Sequence, residues 1–542
     1  MKTAINSFEL SLYFFGWIMG NLFSLSLLYT EQTNIVNANS KYIPYLKDLQ
    51  PGWRFLNRLK DVSDTEWMCF TYYFHTSWSY MFIQFVVTEL IRRYKSSLLK
   101  PWYIISSIIY VSLYMCLKHL LFIFLQPILC STIIFCGGKK AILWITGILL
   151  LGSFNTLKFK YLFWYLVDRE DLQDEQIYLL MGCIAWILLR CISFSIDYID
   201  NKDSKNISKS QTFLNMLSYV MYLPVLYLGP VILYKDFERS FSSPAEPLLD
   251  RIKRFVCDIS LFLLYFFGME LALHFIHFHA LKERIELLRT FSVLALGGGG
   301  LWMGIQFHVK YVIAYGMCGA LAKLDNIDSP PTPRCIARIH VYSHMWRYFD
   351  VGLYQFLVKY IYKPLYLTLS IYPRLPKLAI KMISSLFTFI FIFIWHGTTK
   401  QIFVWSFLNF LGIILETLGK NITETEKYKR FVIKYLKSDA METRFKAMMC
   451  TPLLILSAVS NFYLFGGMDV GDLYFQCFVR PKIYGIFVIC LPMYCCCQVS
   501  MALQDVPSRT DVKKITVRRE RSETNTVKTN VIKTESNSKK IE

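Results

Sequence analysis

Residues 390–416 (IFIFIWHGTTKQIFVWSFLNFLGIILE) form a long, mostly apolar run that carries one histidine, His396, between Trp395 and Gly397. An imidazole with an ordinary pKa of ~6.5 exchanges a proton near neutral pH, which suits a general base. An ionisable group in an apolar span is costly and marks a functional site, unless it serves only to bond a neighbouring helix. On spacing alone both readings of His396 stand. Asp350 lies 46 residues upstream, after Met345-Trp346-Arg347-Tyr348-Phe349. It is either a second reacting group or the acidic half of an Arg347–Asp350 pair one helical turn apart. The first reading needs Asp350 and His396 to face one cavity.

Other clusters are less promising. His274 and His277 lie one turn apart with Glu270 before them, and His279 is followed by Glu283. No HExxH-type grouping puts enough ligands on one face, so these histidines read as an interfacial cluster and not as a metal site. Gly297 to Gly300 has no strand before it and no Lys-Ser after it, so it marks close helix packing or a kink and not a phosphate loop. Cys495-Cys496-Cys497 is either a lipidated or a packed thiol cluster. Asn206 and Asn421 open glycosylation sequons, usable only in lumenal loops.

The elements that must position these groups follow from composition. Of 542 residues, 54% are hydrophobic and 18% charged, against about 25% charged in a soluble domain. A span needs ~20 mostly apolar residues, and backbone inside lipid is helical. The runs at 8–29, 68–91, 101–116, 119–136, 141–157, 177–197, 255–280, 290–317, 377–397, 400–417, 447–466 and 480–499 read as such helices. Nothing after the first resembles a cleavage site, so it reads as a retained helix. The apolar stretch 213–234 contains Pro224, Gly229 and Pro230 and reads as kinked or re-entrant, which is tolerated where protein covers the backbone. Residues 31–66, 198–211 and 324–344 read as polar loops, 168–176 as an acidic hinge, 346–369 as amphipathic, and 418–446 as a charged segment at or beyond the bilayer surface. The class is an all-α polytopic membrane protein with roughly 10–12 membrane helices, re-entrant segments included. The net charge of +20 clusters at span ends, as in Arg92-Arg93, Lys139-Lys140 and the tail. That pattern fits cytosolic loops and anionic headgroups, so no nucleic-acid partner is expected. Fifteen cysteines show no CxxC pair.

Residues 1–503 read as a single membrane domain and 324–417 as its catalytic core, while the basic stretch 504–542 lacks apolar periodicity and is expected to be disordered. Lys539 and Lys540, fourth and third from the last residue given, match a di-lysine retrieval signal, which implies an endoplasmic-reticulum membrane protein with a cytosolic C-terminal tail. A chance pair in a lysine-rich tail is the alternative.

Pro333-Arg334-Cys335, Met345 to Leu353, Trp395-His396-Gly397, Trp405 to Asn409 and Leu411-Gly412 together resemble the hedgehog acyltransferase branch of the membrane-bound O-acyltransferase (MBOAT) family. Asp64 to Trp67, Tyr178 to Leu180, Tyr222 to Leu226 with Gly229-Pro230, and Gly466-Gly467 fall in matching order. The resemblance implies the MBOAT fold around a central tunnel. It also implies transfer of palmitate from palmitoyl-CoA, as co-substrate, to the N-terminal cysteine amine of a secreted Hedgehog-type protein. His396 matches the family's near-invariant histidine and Asp350 its second catalytic position. Cys335 matches a position similar to a haem-iron ligand, so haem b is implied as a cofactor. Trp346, Arg347, Trp395 and Asn461 fall at positions implied to contact substrate. With no serine or cysteine beside His396, direct transfer without an acyl-enzyme is expected. The competing expectations are a lipid O-acyltransferase on the same fold and an inactive regulatory paralogue.

Overall fold

The computed structural model describes residues 5–38, 48–115, 117–155, 173–201, 207–242, 244–336, 339–479 and 483–504. The expected tail with Lys539 and Lys540, the sequon at Asn206 and most of the acidic hinge lie outside them.

The chain is helical almost throughout. Helix α1 (Ser7–Ala38) precedes a small antiparallel hairpin of β1 (Leu49–Pro51) and β2 (Leu59–Asp61). Then come α2 (Thr65–Tyr94), α3 (Leu99–Tyr114), α4 (Leu117–Phe135), α5 (Lys140–Asn155), α6 (Asp174–Asp200), α7 (Lys209–Val220), α8 (Tyr234–Ser242) and α9 (Leu248–Ala272). Two short helices, α10 (Phe278–Lys282) and α11 (Ile285–Leu288), lead to α12 (Val293–Leu324). The second half comprises α13 (Tyr342–Tyr348), α14 (Val351–Leu357), α15 (Lys363–Leu369), α16 (Lys377–His396), α17 (Lys400–Thr423), α18 (Glu426–Phe431), α19 (Asp439–Val479) and α20 (Ile483–Gln504). Among the described residues, eight helices are long and apolar enough to cross a membrane by length and composition: α1, α4, α6, α9, α16, α17, α19 and α20.

The interrupted stretch at 213–234 is a buried, mostly irregular crossing. After α7 the chain makes a short turn at Leu223–Val225 and runs through Gly229-Pro230 into α8. Residues 215–233 are buried throughout. Backbone carbonyls there need partners, because lipid and apolar side chains offer none. Arg190 of α6 donates to the carbonyls of Val220 and Val225, Ser107 donates to Met221, and the Tyr219 hydroxyl donates to Ile232. Three of the four glycines at the start of α12 permit contacts that a Cβ would block: at Gly298 it would sit 2.3 Å from Ser24 O of α1, at Gly299 2.2 Å from the Phe278 ring, and at Gly300 2.6 Å from the Phe462 ring. That is close packing, as their composition suggested. Helix α19 extends beyond the expected 447–466 at both ends, and its break at Gly467 (φ 79°) interrupts it instead of ending it. The charged stretch after α17 is mostly helical, with Asn421 inside the last turns of α17.

Candidate active site

Helix α16 is apolar over nearly its whole length and ends at His396, where Gly397 (φ 113°) turns the backbone out of the helix. That φ is one L side chains rarely adopt, so glycine is what lets the chain stop there. Asn155, at the end of α5, donates from Nδ2 to the Ile394 carbonyl at 2.8 Å, and Trp395 donates from Nε1 to the Ala185 carbonyl of α6 at 3.3 Å. Both fix the end of α16 from outside.

His396 as a residue keeps more than a third of its surface exposed. It lines a cavity of about 170 Å³ between α4, α5, α6 and α16. The wall is largely apolar (Leu150, Leu151, Phe154, Met181, Ile184 and Leu188 among others), and its polar members are Gln126, Asn155 and His396. Elsewhere the ring meets Trp395 and Trp405 edge-on, with centroids 4.7 and 5.0 Å away.

Asp350 caps α14. One carboxylate oxygen accepts the Leu353 N–H at 2.9 Å and the other accepts the Tyr315 hydroxyl of α12 at 2.8 Å. The alternative Arg347–Asp350 pair does not form: Arg347 is exposed, with its guanidinium 5.9 Å from the Tyr354 ring centroid. Asp350 does not line the His396 cavity either. The two are joined by rings: Tyr315 meets Trp186, Trp186 meets Trp395, and Trp395 meets His396, with centroids 6.5, 5.1 and 4.7 Å apart.

The other expected residues fall into place around this chain of rings. Trp346 donates to Asn409 Oδ1 at 3.1 Å and packs 5.7 Å from Trp405. Asn461 accepts from Trp405 Nε1 at 3.2 Å, and Asn409 reaches Ser460 at 3.3 Å. Trp346, Asn461 and the Ser460 position therefore hold the far side of Trp405 in place, behind the histidine. Cys335 is exposed on the segment before α13. A single exposed thiol does not make a haem site, and among the described residues no group of three His, Cys, Asp or Glu side chains comes together. The haem expectation thus finds no support in these residues. The three histidines near 277 have separate partners: His274 takes the Trp53 N–H, His277 faces the Leu59 carbonyl and His279 lies 4.0 Å from Asp64. Cys495 and Cys497 are buried, as packed thiols are.

Sequence reading missed Gln126, Asn155, Trp186 and Tyr315. Gln126 carried a usable signal, a polar side chain within an apolar span; Tyr315 and Trp186 looked like ordinary core aromatics.

The segment 141–460, which holds α5 through His396 and most of α19, matches the membrane-bound O-acyltransferase family model. The chain belongs to this family. It is 32% identical over 336 residues to the protein-cysteine N-palmitoyltransferase Rasp of Drosophila melanogaster, covering 61% of this chain and 65% of the fly protein. It is 29% identical over 360 residues to the protein-cysteine N-palmitoyltransferase HHAT of Mus musculus, covering 64% of this chain and 69% of that one. Similarity at 23% over 442 residues extends to the mouse HHAT-like protein, covering 78% and 80%. The first match thus spans just under two thirds of the fly protein's length.

Proposed function

We propose that this protein is a protein-cysteine N-palmitoyltransferase of the endoplasmic-reticulum membrane, moving palmitate from palmitoyl-CoA to the N-terminal cysteine amine of a secreted Hedgehog-type signalling protein. The observation that carries the reading is His396, at the end of an apolar helix and lining a cavity between helices, in a family member similar to two enzymes of that name.

In the reaction the α-amine nitrogen attacks the thioester carbonyl and forms the amide C–N bond. His396 takes the proton the amine loses, and the C–S bond breaks as the CoA thiolate leaves and is protonated by the imidazolium. An α-amine has a pKa of ~8, so about a tenth of it is the neutral, nucleophilic form at pH 7, and His396 takes the proton that this form loses on attack. The end of α16 also places helix carbonyls near the ring, which favours the imidazolium formed in the transition state. Transfer is direct in this reading, since among the described residues the cavity wall contains no serine or cysteine to form an acyl-enzyme. Asp350 acts as a positioning residue: through Tyr315 and Trp186 it sets the wall against which Trp395 and His396 rest.

The test is acyl transfer by the full chain in detergent or nanodiscs, with palmitoyl-CoA and a peptide beginning with Cys, beside the same peptide with its α-amine blocked. Product on the free amine alone, lost in His396→Ala, supports the reading. Acylation of lysophospholipid or sterol in place of peptide would replace it with a lipid acyltransferase.

A further inference from the structure

The turn that ends α16 is open where those of α12 and α17 are closed. The last four carbonyls of a helix have no partner within it. At the end of α12 the Asp325 N–H returns to the Leu321 and Lys323 carbonyls, and at the end of α17 the Glu424 N–H returns to Ile422. Helix α16 has no such bond. Gly397 leaves it at φ 113°, and neither its N–H nor that of Thr398 comes back to a carbonyl of the last turn. The Ile394 carbonyl in that turn is instead taken up from α5, by Asn155 Nδ2 at 2.8 Å. Only the nitrogen of an amide can donate, so this bond fixes which way round the Asn155 amide lies. Its Oδ1 then sits 3.8 Å from where a Cβ on Gly397 would stand, against the residue after the histidine. Asn155 is half-buried, is the last residue of α5, and lines the cavity beside His396.

What this bond holds is the histidine. Among the described residues no hydrogen bond reaches the His396 ring, which meets only the edges of Trp395 and Trp405 among the aromatic rings. The place of the imidazole is therefore set largely by the backbone of residues 394–397. Two side-chain bonds anchor that backbone: Asn155 to the Ile394 carbonyl and, longer at 3.3 Å, Trp395 to the Ala185 carbonyl. Trp395 also packs on the imidazole itself, so changing it disturbs the ring directly. Asn155 reaches the histidine only through the helix end.

We propose that Asn155 is a positioning residue for His396, capping the open end of α16 from α5 and so holding the imidazole in register with the cavity. This rests on the reading of His396 as the base in acyl transfer.

The test compares Asn155→Leu and Asn155→Gln with the wild-type full chain in detergent. Diethyl pyrocarbonate is added without substrate, and carbethoxylation of His396 is followed by mass spectrometry. The exposed His75 is the reference, and the buried His119 reports any opening of the whole fold. Losing one neutral hydrogen bond is expected to raise the labelling rate of His396 about 3- to 10-fold in Asn155→Leu, with His119 unchanged. Leucine suits the site, since Leu150, Leu151 and Leu188 already line the same wall. The kcat of acyl transfer should fall by up to about 100-fold, as for a misplacement near 1 Å, while KM and the affinity for a non-transferable acyl-CoA thioether stay at wild-type values. Asn155→Gln keeps an N–H donor and should lose less on both counts. A Leu protein with wild-type labelling and kcat overturns the proposal. So does a loss carried by KM and thioether affinity, which would make Asn155 a substrate contact, and so does equal loss in the Leu and Gln proteins. If Asn155→Leu does not fold, Asn155→Ser, whose hydroxyl stops short of the Ile394 carbonyl, is read in the same way. A wild-type protein without acyl transfer sinks the functional reading alone, because the labelling needs no substrate and still decides the role of Asn155.

Discussion

Gly352→Ala offers a direct way to disturb Asp350 without touching its carboxylate. Gly352 lies two residues after Asp350, in the first turn of α14, where a Cβ would stand 2.2 Å from the Val231 carbonyl oxygen and 3.0 Å from its carbon. Ordinary contact begins at 3.4 Å, so the two backbones must part by about 1.2 Å. Neither side gives easily. Val231 lies in the buried irregular crossing, whose neighbouring Ile232 carbonyl is held by Tyr219 at 2.6 Å, and α14 is held through Asp350 by Tyr315. Overpacking costs about 1–3 kcal/mol, and replacing a helical glycine by alanine returns about 0.5–1 kcal/mol. The net expectation is a loss of about 1–2 kcal/mol. Displacement near 1 Å at a positioning group costs up to about 100-fold in rate. Gly304→Ala in α12 is the control, because a Cβ there meets open space, and it should be neutral or stabilising by about 0.5–1 kcal/mol. Thermal unfolding in detergent and acyl transfer are read on both variants. A Gly352→Ala protein with wild-type stability and rate would refute the close approach. A protein that is destabilised yet fully active would refute the role given to the Asp350 placement.

His396→Gln should lower kcat by about 10²- to 10⁴-fold with little change in unfolding temperature, since no described hydrogen bond holds the ring; an active variant would remove the base assignment. Asp350→Asn keeps an acceptor oxygen for the Leu353 N–H and offers an N–H that the Tyr315 hydroxyl oxygen can accept, so it should retain far more activity than Asp350→Ala; equal losses would mean that the charge itself is used. Lys310→Met leaves Asp64 without its ammonium partner at 2.9 Å and Glu66 without its partner at 2.6 Å, which should cost about 3–5 kcal/mol in unfolding free energy; adding Asp64→Asn should recover part of it. Burial alone would raise the Asp64 carboxyl, but the Lys310 ammonium holds it well below the usual range. A lowered native pKa means this contribution is complete above the unfolded carboxyl pKa of ~4 and is lost as pH falls below it. Melting between pH 6 and 8 should therefore show no change traceable to Asp64, and a transition there would contradict the assignment.

The sequence by itself determined the class and the main span positions, because a run of ~20 apolar residues has few stable fates other than a buried or lipid-facing helix. It also singled out His396, since an imidazole in such a run is conspicuous wherever its neighbours lie. Pro224, Gly229 and Pro230 announced the broken crossing, as their backbones cannot continue a regular helix. Tertiary structure alone decided what surrounds these residues. Asp350 read from its spacing as a partner of Arg347 or as a group facing the histidine, yet it pairs with Tyr315, 35 positions away on α12. Gln126 and Asn155 come to the His396 cavity from α4 and α5, more than 200 residues earlier in the chain. Local periodicity records which face of a helix is apolar but not which helix it meets. Contacts set by packing across hundreds of residues leave no record of the partner in either segment, even where a polar side chain such as Gln126 stands out in its own span.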